Sequence, residues 1–195
     1  ASITIISYPS VVAKAKLANA IKFSDNVRGS LQPDMVAWWK FDETVGNIAK
    51  DTWWNELHGT VVGATWDIGG IKGGALKFDG VDDKVTLTGA VKLPSSFTFV
   101  HWIKTTSAGG QIYTIGNAGG GNGYRFGISG GRIAFLIGDS SWTESTCGTA
   151  TVNDNQWHYI VGVFNRVVPT RFQCYIDGKL IATVPLPSSY SNMQT

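Results

Sequence analysis

The 195 residues include 24 Gly and 8 Trp, with only 15% charged side chains and a net charge of +2. That balance excludes a disordered chain and a helical bundle, and the charge is too small and too dispersed for a nucleic-acid partner. The length suits one sizeable core with room for a short appendage.

Residues 1–8, ASITIISY, are apolar but far short of the roughly 20 residues that a bilayer-spanning helix needs, and they read as the stump of something longer. After Pro9-Ser10, apolar or small residues fall at Ala13, Leu17, Ile21, Ser24, Val27 and Leu31, while Lys14, Lys16, Lys22, Asp25 and Arg28 lie largely off that stripe. The three-to-four spacing predicts an amphipathic helix of about five turns over 11–31. Gly29 and Pro33 mark its end.

From Val36 the period changes to that of strands. Leu76/Phe78, Val85/Leu87 and Tyr124/Phe126/Ile128 alternate with polar or small residues, which predicts strands with one dry face and one wet face. By contrast, Phe97–Ile103 and Trp157–Phe164 are apolar on both faces, as central strands covered on their outer side would be. The helix is the available cover. Gly119–Gly123 and Gly130-Gly131 mark turns, and Asp177-Gly178 predicts a tight hairpin because this pair tolerates positive φ.

The tryptophans divide by context. Trp38, Trp39, Trp66, Trp102 and Trp157 lie in strand-like patterns and are expected in the core, whereas Trp53-Trp54 and Trp142 lie in polar loops. Adjacent residues of an extended segment face opposite ways, so one of Trp53 and Trp54 is expected to be buried and the other presented. A presented indole offers a stacking platform for a sugar ring or an anchor for a protein neighbour. Cys147 and Cys174 sit in or beside alternating strands, with no ligand spacing around them, and the three histidines complete no zinc site. A disulfide, which would place the protein outside the cytoplasm, is expected over a pair of buried free thiols.

Two chemistries require carboxylates. Calcium takes hard oxygen ligands, and Asp42, Asp51, Asn55 and Asp79 flank loops able to converge on such an ion, possible here as a structural cofactor. The competing reading is that Asp51 and Asn55 cap a turn through side-chain to backbone hydrogen bonds. Glycoside hydrolysis needs two carboxylates roughly 5–10 Å apart across one cleft. Glu43, Glu56 and Glu144 are scattered, and Asp82-Asp83 read as turn residues whose side chains diverge if the segment is extended. No nucleophile-elbow motif supports a Ser/His/Asp triad, so the chain is expected not to be an enzyme.

WWKFDE (38–43), Asp51, His58-Gly59-Thr60, GGALKFDGVDDKV (73–85), FTFVHWIKT (97–105), NDNQWHYIVGVF (153–164) and CYIDGKLIAT (174–183) resemble the LamG-like jelly-roll domain. The resemblance covers about residues 35–187 and implies the concanavalin A-like lectin/glucanase fold, a mainly β, two-sheet antiparallel jelly-roll sandwich, here with one N-terminal amphipathic helix. Related domains sometimes bind calcium near the loops just named, but the usual Ser-Gly-Asn-Gly-like run after Asp51 is replaced by Thr52-Trp53-Trp54-Asn55-Glu56. The clustered Glu/Asp signature of the catalytic members is absent. The family pattern also continues past the Asp177-Gly178 hairpin with two further strands, which are expected to be missing before the SNMQT end, leaving an edge open to pairing.

The first 31 residues resemble the later part of the N-terminal helix of a type IV pilin or pseudopilin. The two resemblances imply a pilin-like segment over 1–34 and a LamG-like domain over 35–195. Together they imply a non-catalytic filament subunit or surface-display protein that adheres to surface glycans or proteins. Its partners would be other pilin-like subunits or those surface molecules, and it would meet a membrane only through a missing hydrophobic part of the helix. The alternatives are a carbohydrate-binding module of a secreted degradative enzyme and, less favoured, a glycanase of the same fold.

Overall fold

The computed structural model describes residues 8–89, 91, 93–94, 96–117, 122–138, 142–166 and 171–186, with the side chains of 8–12, 117, 122, 142 and 143 outside that description. The expectations placed on residues 1–7, on Gly119–Gly121 and on the C-terminal end past 186 therefore lie outside the described residues. The chain forms two compact units, residues 29–92 and residues 1–28 with 93–195.

Near its start the smaller unit makes a 3-10 turn at Gln32–Asp34, with Pro33 at its second position. Strands β1 (Ile48–Ala49), β2 (Gly59–Val62) and β5 (Lys84–Leu87) form a sheet in the order β1-β2-β5, and β3 (Thr65–Gly70) pairs with β4 (Gly73–Lys77) as a separate hairpin.

The larger unit is the sandwich. Its strands are β6 (Ser96–Lys104), β7 (Gly109–Asn117), β8 (Asn122–Ser129), β9 (Arg132–Gly138), β10 (Trp142–Thr151), β11 (Trp157–Asn165), β12 (Arg171–Ile176) and β13 (Lys179–Pro185). They form two antiparallel four-stranded sheets, β10-β9-β8-β7 and β13-β12-β11-β6. The period of two carries Tyr124 and Phe126, then Ile133, Phe135 and Ile137, onto the inner face of the first sheet. Ile160, Phe164, Phe172, Cys174 and Ile176 meet them from the second. Phe135 and Phe172 stack with centroids 4.5 Å apart, an offset arrangement that adds about 1 kcal/mol to simple area burial. Gly162 leaves room for these rings, since a Cβ at that position would press on them at 3.0 Å from Phe172 and 3.2 Å from Phe126.

The outer face of the β13-β12-β11-β6 sheet is apolar because helix α1 (Tyr8–Leu31) covers it. Ala20, Phe23 and Val27 pack on Trp102, Tyr159, Val161, Val163 and Tyr175, with Phe23 edge-on to Tyr159 at 6.0 Å. Burial beneath the helix pushes the Tyr159 phenol up to about 12, Asp25 adding to the shift and Arg28 opposing it. The packed positions 20, 23, 24 and 27 follow the i, i+3, i+4, i+7 pattern, a stripe turned by about one residue from that expected on sequence. Ser24 and Val27 belong to both stripes, while Ala13 is exposed. Buried Ser24 satisfies its hydroxyl by donating to the Ile21 carbonyl at 2.8 Å.

The Asp177-Gly178 hairpin forms as expected, with φ of 53° and 85°, and a side chain at Gly178 would also press on Phe23 at 3.2 Å. The tryptophans correct the expectation for the core. Trp38, Trp39, Trp66, Trp102 and Trp157 are only half-buried, and the fully buried large side chains are Phe, Tyr and Ile. The reason is the indole N–H, which must find an acceptor. Trp39 Nε1 donates to the Leu57 carbonyl and Trp66 Nε1 to that of Gly46, each at 2.8 Å, so both rings sit beside loops.

Candidate functional site

Asp51 organises the Trp53-Trp54 loop. It is 5% exposed, and its Oδ1 accepts the backbone N–H groups of Trp38 at 2.8 Å and Trp53 at 2.9 Å while Oδ2 accepts that of Leu57 at 3.1 Å. Its own N–H donates to His58 Nδ1 at 3.1 Å. Thr52 donates twice to the Trp38 carbonyl, through its N–H and its hydroxyl, each at 2.9 Å. Asn55 Nδ2 donates to the Val36 carbonyl. Asp51 and Asn55 thus act as turn braces in this structure. Asp51→Ala is expected to destabilise the chain by about 2 kcal/mol, because donors held away from water lose their acceptor; urea denaturation followed by tryptophan fluorescence checks it.

On that brace Trp54 is 76% exposed and Trp53 is half-buried, with the two rings edge-on at 6.3 Å. Trp53 Nε1 is buried without a hydrogen-bond partner among the described residues. Trp142 opens β10, but its side chain lies outside the described residues.

Of the other residues considered for calcium, Asp42 ties down the start of β4 from 32 residues away and Asp79 serves a local turn. Asp42 Oδ1 accepts the Gly74 N–H and Asp79 Oδ1 that of Val81, each at 2.8 Å. Among the described residues the acidic side chains that converge are Asp79, Asp82 and Asp83, with ligand-capable oxygens within 4.8 Å of one another. Asp82 and Asp83 therefore do not diverge as an extended segment requires. Gly80, at φ 81°, bends the chain, and Asp83 Oδ2 accepts the Asp79 N–H at 2.7 Å across the bend.

In the larger unit a cavity of about 330 Å³ opens on the face of the β10-β9-β8-β7 sheet opposite the core, lined by Gln111, Arg125, Ser129, Leu136 and Glu144 around Gly127 and Ala134. Elsewhere His158 bridges two carboxylates, with Nδ1 2.8 Å from Asp177 Oδ2 and Nε2 3.0 Å from Asp154 Oδ1. The Asp177 hydrogen bond raises the His158 pKa, burial partly opposes it, and Asp154 adds to the rise. Because Asp177 also accepts the Tyr159 N–H, this histidine clamps the β12–β13 turn to the loop before β11.

Residues 79–195 match the Concanavalin A-like lectin/glucanases superfamily, a span of more than half the chain. The chain belongs to that superfamily. The LamG-like resemblance read from the motifs holds, and the matched span takes in β5 of the smaller unit and all the strands of the larger one. The binding domain of Paraclostridial Mosquitocidal Protein 1 is similar at 15% identity and a TM-score of 0.56, covering 72% of this chain and 38% of that one. Botulinum neurotoxin type C is similar at 16% identity and a TM-score of 0.53, covering 82% of this chain and 40% of that one. Domains LG4-5 of the mouse laminin alpha1 chain share 17% identity at a TM-score of 0.42, over 51% of this chain and 25% of theirs. This chain thus spans well under half the length of each, and likeness at such identities establishes the fold alone. No curated protein matches the sequence.

The superfamily motifs gave no sign of the cavity, because its walls come from four strands between Gln111 and Glu144 and no short segment holds more than a part of it. The alternation of Arg125, Gly127 and Ser129 against the core residues Tyr124 and Phe126 was the available signal.

Proposed function

We propose that this chain is an extracellular, non-catalytic glycan-binding module displayed at a cell surface. The observation that carries the reading is Trp54, an indole 76% exposed on a loop held by three backbone hydrogen bonds to Asp51. A flat apolar face held rigid in advance stacks on the C–H face of a sugar ring at little entropic cost. Membership of the lectin/glucanase superfamily supports it, as does the likeness to botulinum neurotoxin type C, whose cell entry depends on interaction with two ganglioside molecules. The Cys147–Cys174 disulfide suits an oxidising location. Glu144 is the one carboxylate among the residues lining the cavity, whereas glycoside hydrolysis ordinarily employs two, which favours binding over hydrolysis.

The pilin-like presentation rests on helix α1. Among the described residues no helix is long and apolar enough to cross a membrane. Yet residues 13–19 of α1 are exposed apart from half-buried Leu17, and this stretch is free to pack against other copies in a filament. The coding sequence upstream tests this directly: a pilin needs a peptidase site and a hydrophobic half-helix there, and an intact precursor lacking both removes the filament role. For the glycan role, an array probed with the intact chain is expected to show binding that Trp54→Ala weakens roughly tenfold without lowering the melting temperature. Binding to a protein surface but to no glycan on the array would replace this reading with an adhesive one.

A further inference from the structure

We propose that strand β6 is the seat of a reversible dimer, in which it pairs antiparallel with the β6 of a second copy about a two-fold axis at Val100. The contact lies within the larger unit, and it uses neither the Trp53-Trp54 loop nor the exposed residues 13–19 of α1.

A sheet edge presents the N–H and C=O groups of every second residue unpaired, and folded chains ordinarily blunt it with charge, proline or a bulge. Three of the four edges of the sandwich are blunted in this way. Strand β7 is bulged between Gln111 and Tyr113, β10 slips register between Thr146 and Thr151 and carries Glu144, and β13 slips opposite Cys174 and Tyr175, begins with Lys179 and ends with Pro185. Strands β10 and β13 also close on each other, for a Cβ on Gly148 would come within 3.1 Å of Ile181. Strand β6 has none of these devices. It keeps unbroken register with β11 through nine consecutive pairs, from Ser96 against Asn165 to Lys104 against Trp157, and among the described residues no strand pairs with its other side. Its sequence, SFTFVHWIK, holds no proline and one fixed charge, at the last position.

The side chains single out a second copy as the occupant. Antiparallel pairing centred on Val100 sets that residue against its own copy, Phe99 against His101, Thr98 against Trp102, Phe97 against Ile103 and Ser96 against Lys104. This register is the one that pairs all nine residues. Aromatic and β-branched pairs of these kinds are favourable when directly opposed, and like charges are not; here Lys104 meets a serine, and burial keeps His101 neutral near pH 7. Val100 is 42% exposed, and Ser96 and Lys104 at the two ends are exposed, so the axis position and both termini are open to a neighbour. Two strands of this length bury less than the roughly 1,200–2,000 Å² of a standard stable interface, which gives a weak dimer with a Kd on the order of 10–100 μM.

Sedimentation velocity of the full chain over about 1 μM to 1 mM, a range that brackets that Kd, tests the pairing. The expected result is a monomer–dimer equilibrium that Val100→Lys weakens about tenfold, because two ammonium groups then oppose each other on the axis, and that Ala15→Asp on the exposed part of α1 leaves unchanged. Val100→Cys is expected to cross-link in air, since opposed residues of an antiparallel pair have Cα atoms about 4.5–5.5 Å apart. Thr98→Cys is expected not to, because its own copy lies four residues along the neighbouring strand, roughly 13 Å away. Should Val100→Lys fail to fold, the two cysteine variants decide. A chain that stays monomeric throughout would overturn the proposal, as would a dimer that Val100→Lys leaves intact, one that Ala15→Asp abolishes, or cross-linking through Thr98→Cys rather than Val100→Cys.

Discussion

Reducing the Cys147–Cys174 disulfide is expected to lower the unfolding free energy by about 3–4 kcal/mol, the stabilisation given by closing a loop of this length in the unfolded chain. The two cysteines are 27 residues apart in sequence and 5.8 Å apart at Cα, and both are 0% exposed in the core. They join β10 of one sheet to β12 of the other, so the bond ties the two halves of the sandwich together. Because the sulfurs are buried, reductant reaches them only through unfolding or opening, and the measurement is best made by refolding with and without thiol. Urea denaturation of the two forms should show the midpoint drop. A difference below about 1 kcal/mol would show that the reduced chain already restrains this segment by other means.

Acid should weaken the sandwich through His101. Its ring lies between the sheets, edge-on to Phe126 at 5.2 Å and to Tyr113 at 6.0 Å. Nε2 is buried with no hydrogen-bond partner among the described residues, and burial lowers its pKa from 6.5 to about 4. Between those values the unfolded chain takes up a proton that the folded chain refuses, so stability falls as pH drops from 6.5 to 4, by up to about 3 kcal/mol. His158 acts in the opposite sense. Its pKa is raised, so its contribution is complete below 6.5 and is lost as pH rises through the folded value. The two are separated by comparing the native chain with His101→Leu. The variant is expected to match the native chain within about 1 kcal/mol at pH 7, since replacing an unpartnered polar atom by an apolar group is nearly neutral, and to exceed it clearly at pH 4.5. Parallel pH profiles for the two chains would refute this account.

Much of the architecture follows from local patterns. The apolar run FTFVHWIKT already signals a strand needing cover on its outer side, and the Asp177-Gly178 pair signals its hairpin, because the features responsible lie within a few residues of one another. The Trp53-Trp54 loop was legible only in part: Trp54 is presented, but the pair lies in a bend and turn rather than in extended chain, and Trp53 is half-buried rather than buried. The core tryptophans were misplaced on sequence because hydropathy counts an indole as apolar, while its N–H seeks a carbonyl at a loop edge, as Trp39 and Trp66 do.

By itself, the sequence determined the class of the fold, several of the strands, the helix and the hairpin, since periodicity and turn chemistry act between near neighbours. Only the tertiary structure decided which helix face meets the sheet, how Asp79, Asp82 and Asp83 come together across the bend at Gly80, and that Asp51 is bound to three backbone N–H groups. It alone decided the cavity, where a one-residue bulge in β7 sets the place of Gln111 against Gly127, Ala134 and Glu144. Each of these depends on register between strands far apart in sequence, and a shift of one residue there moves every side chain to the opposite face.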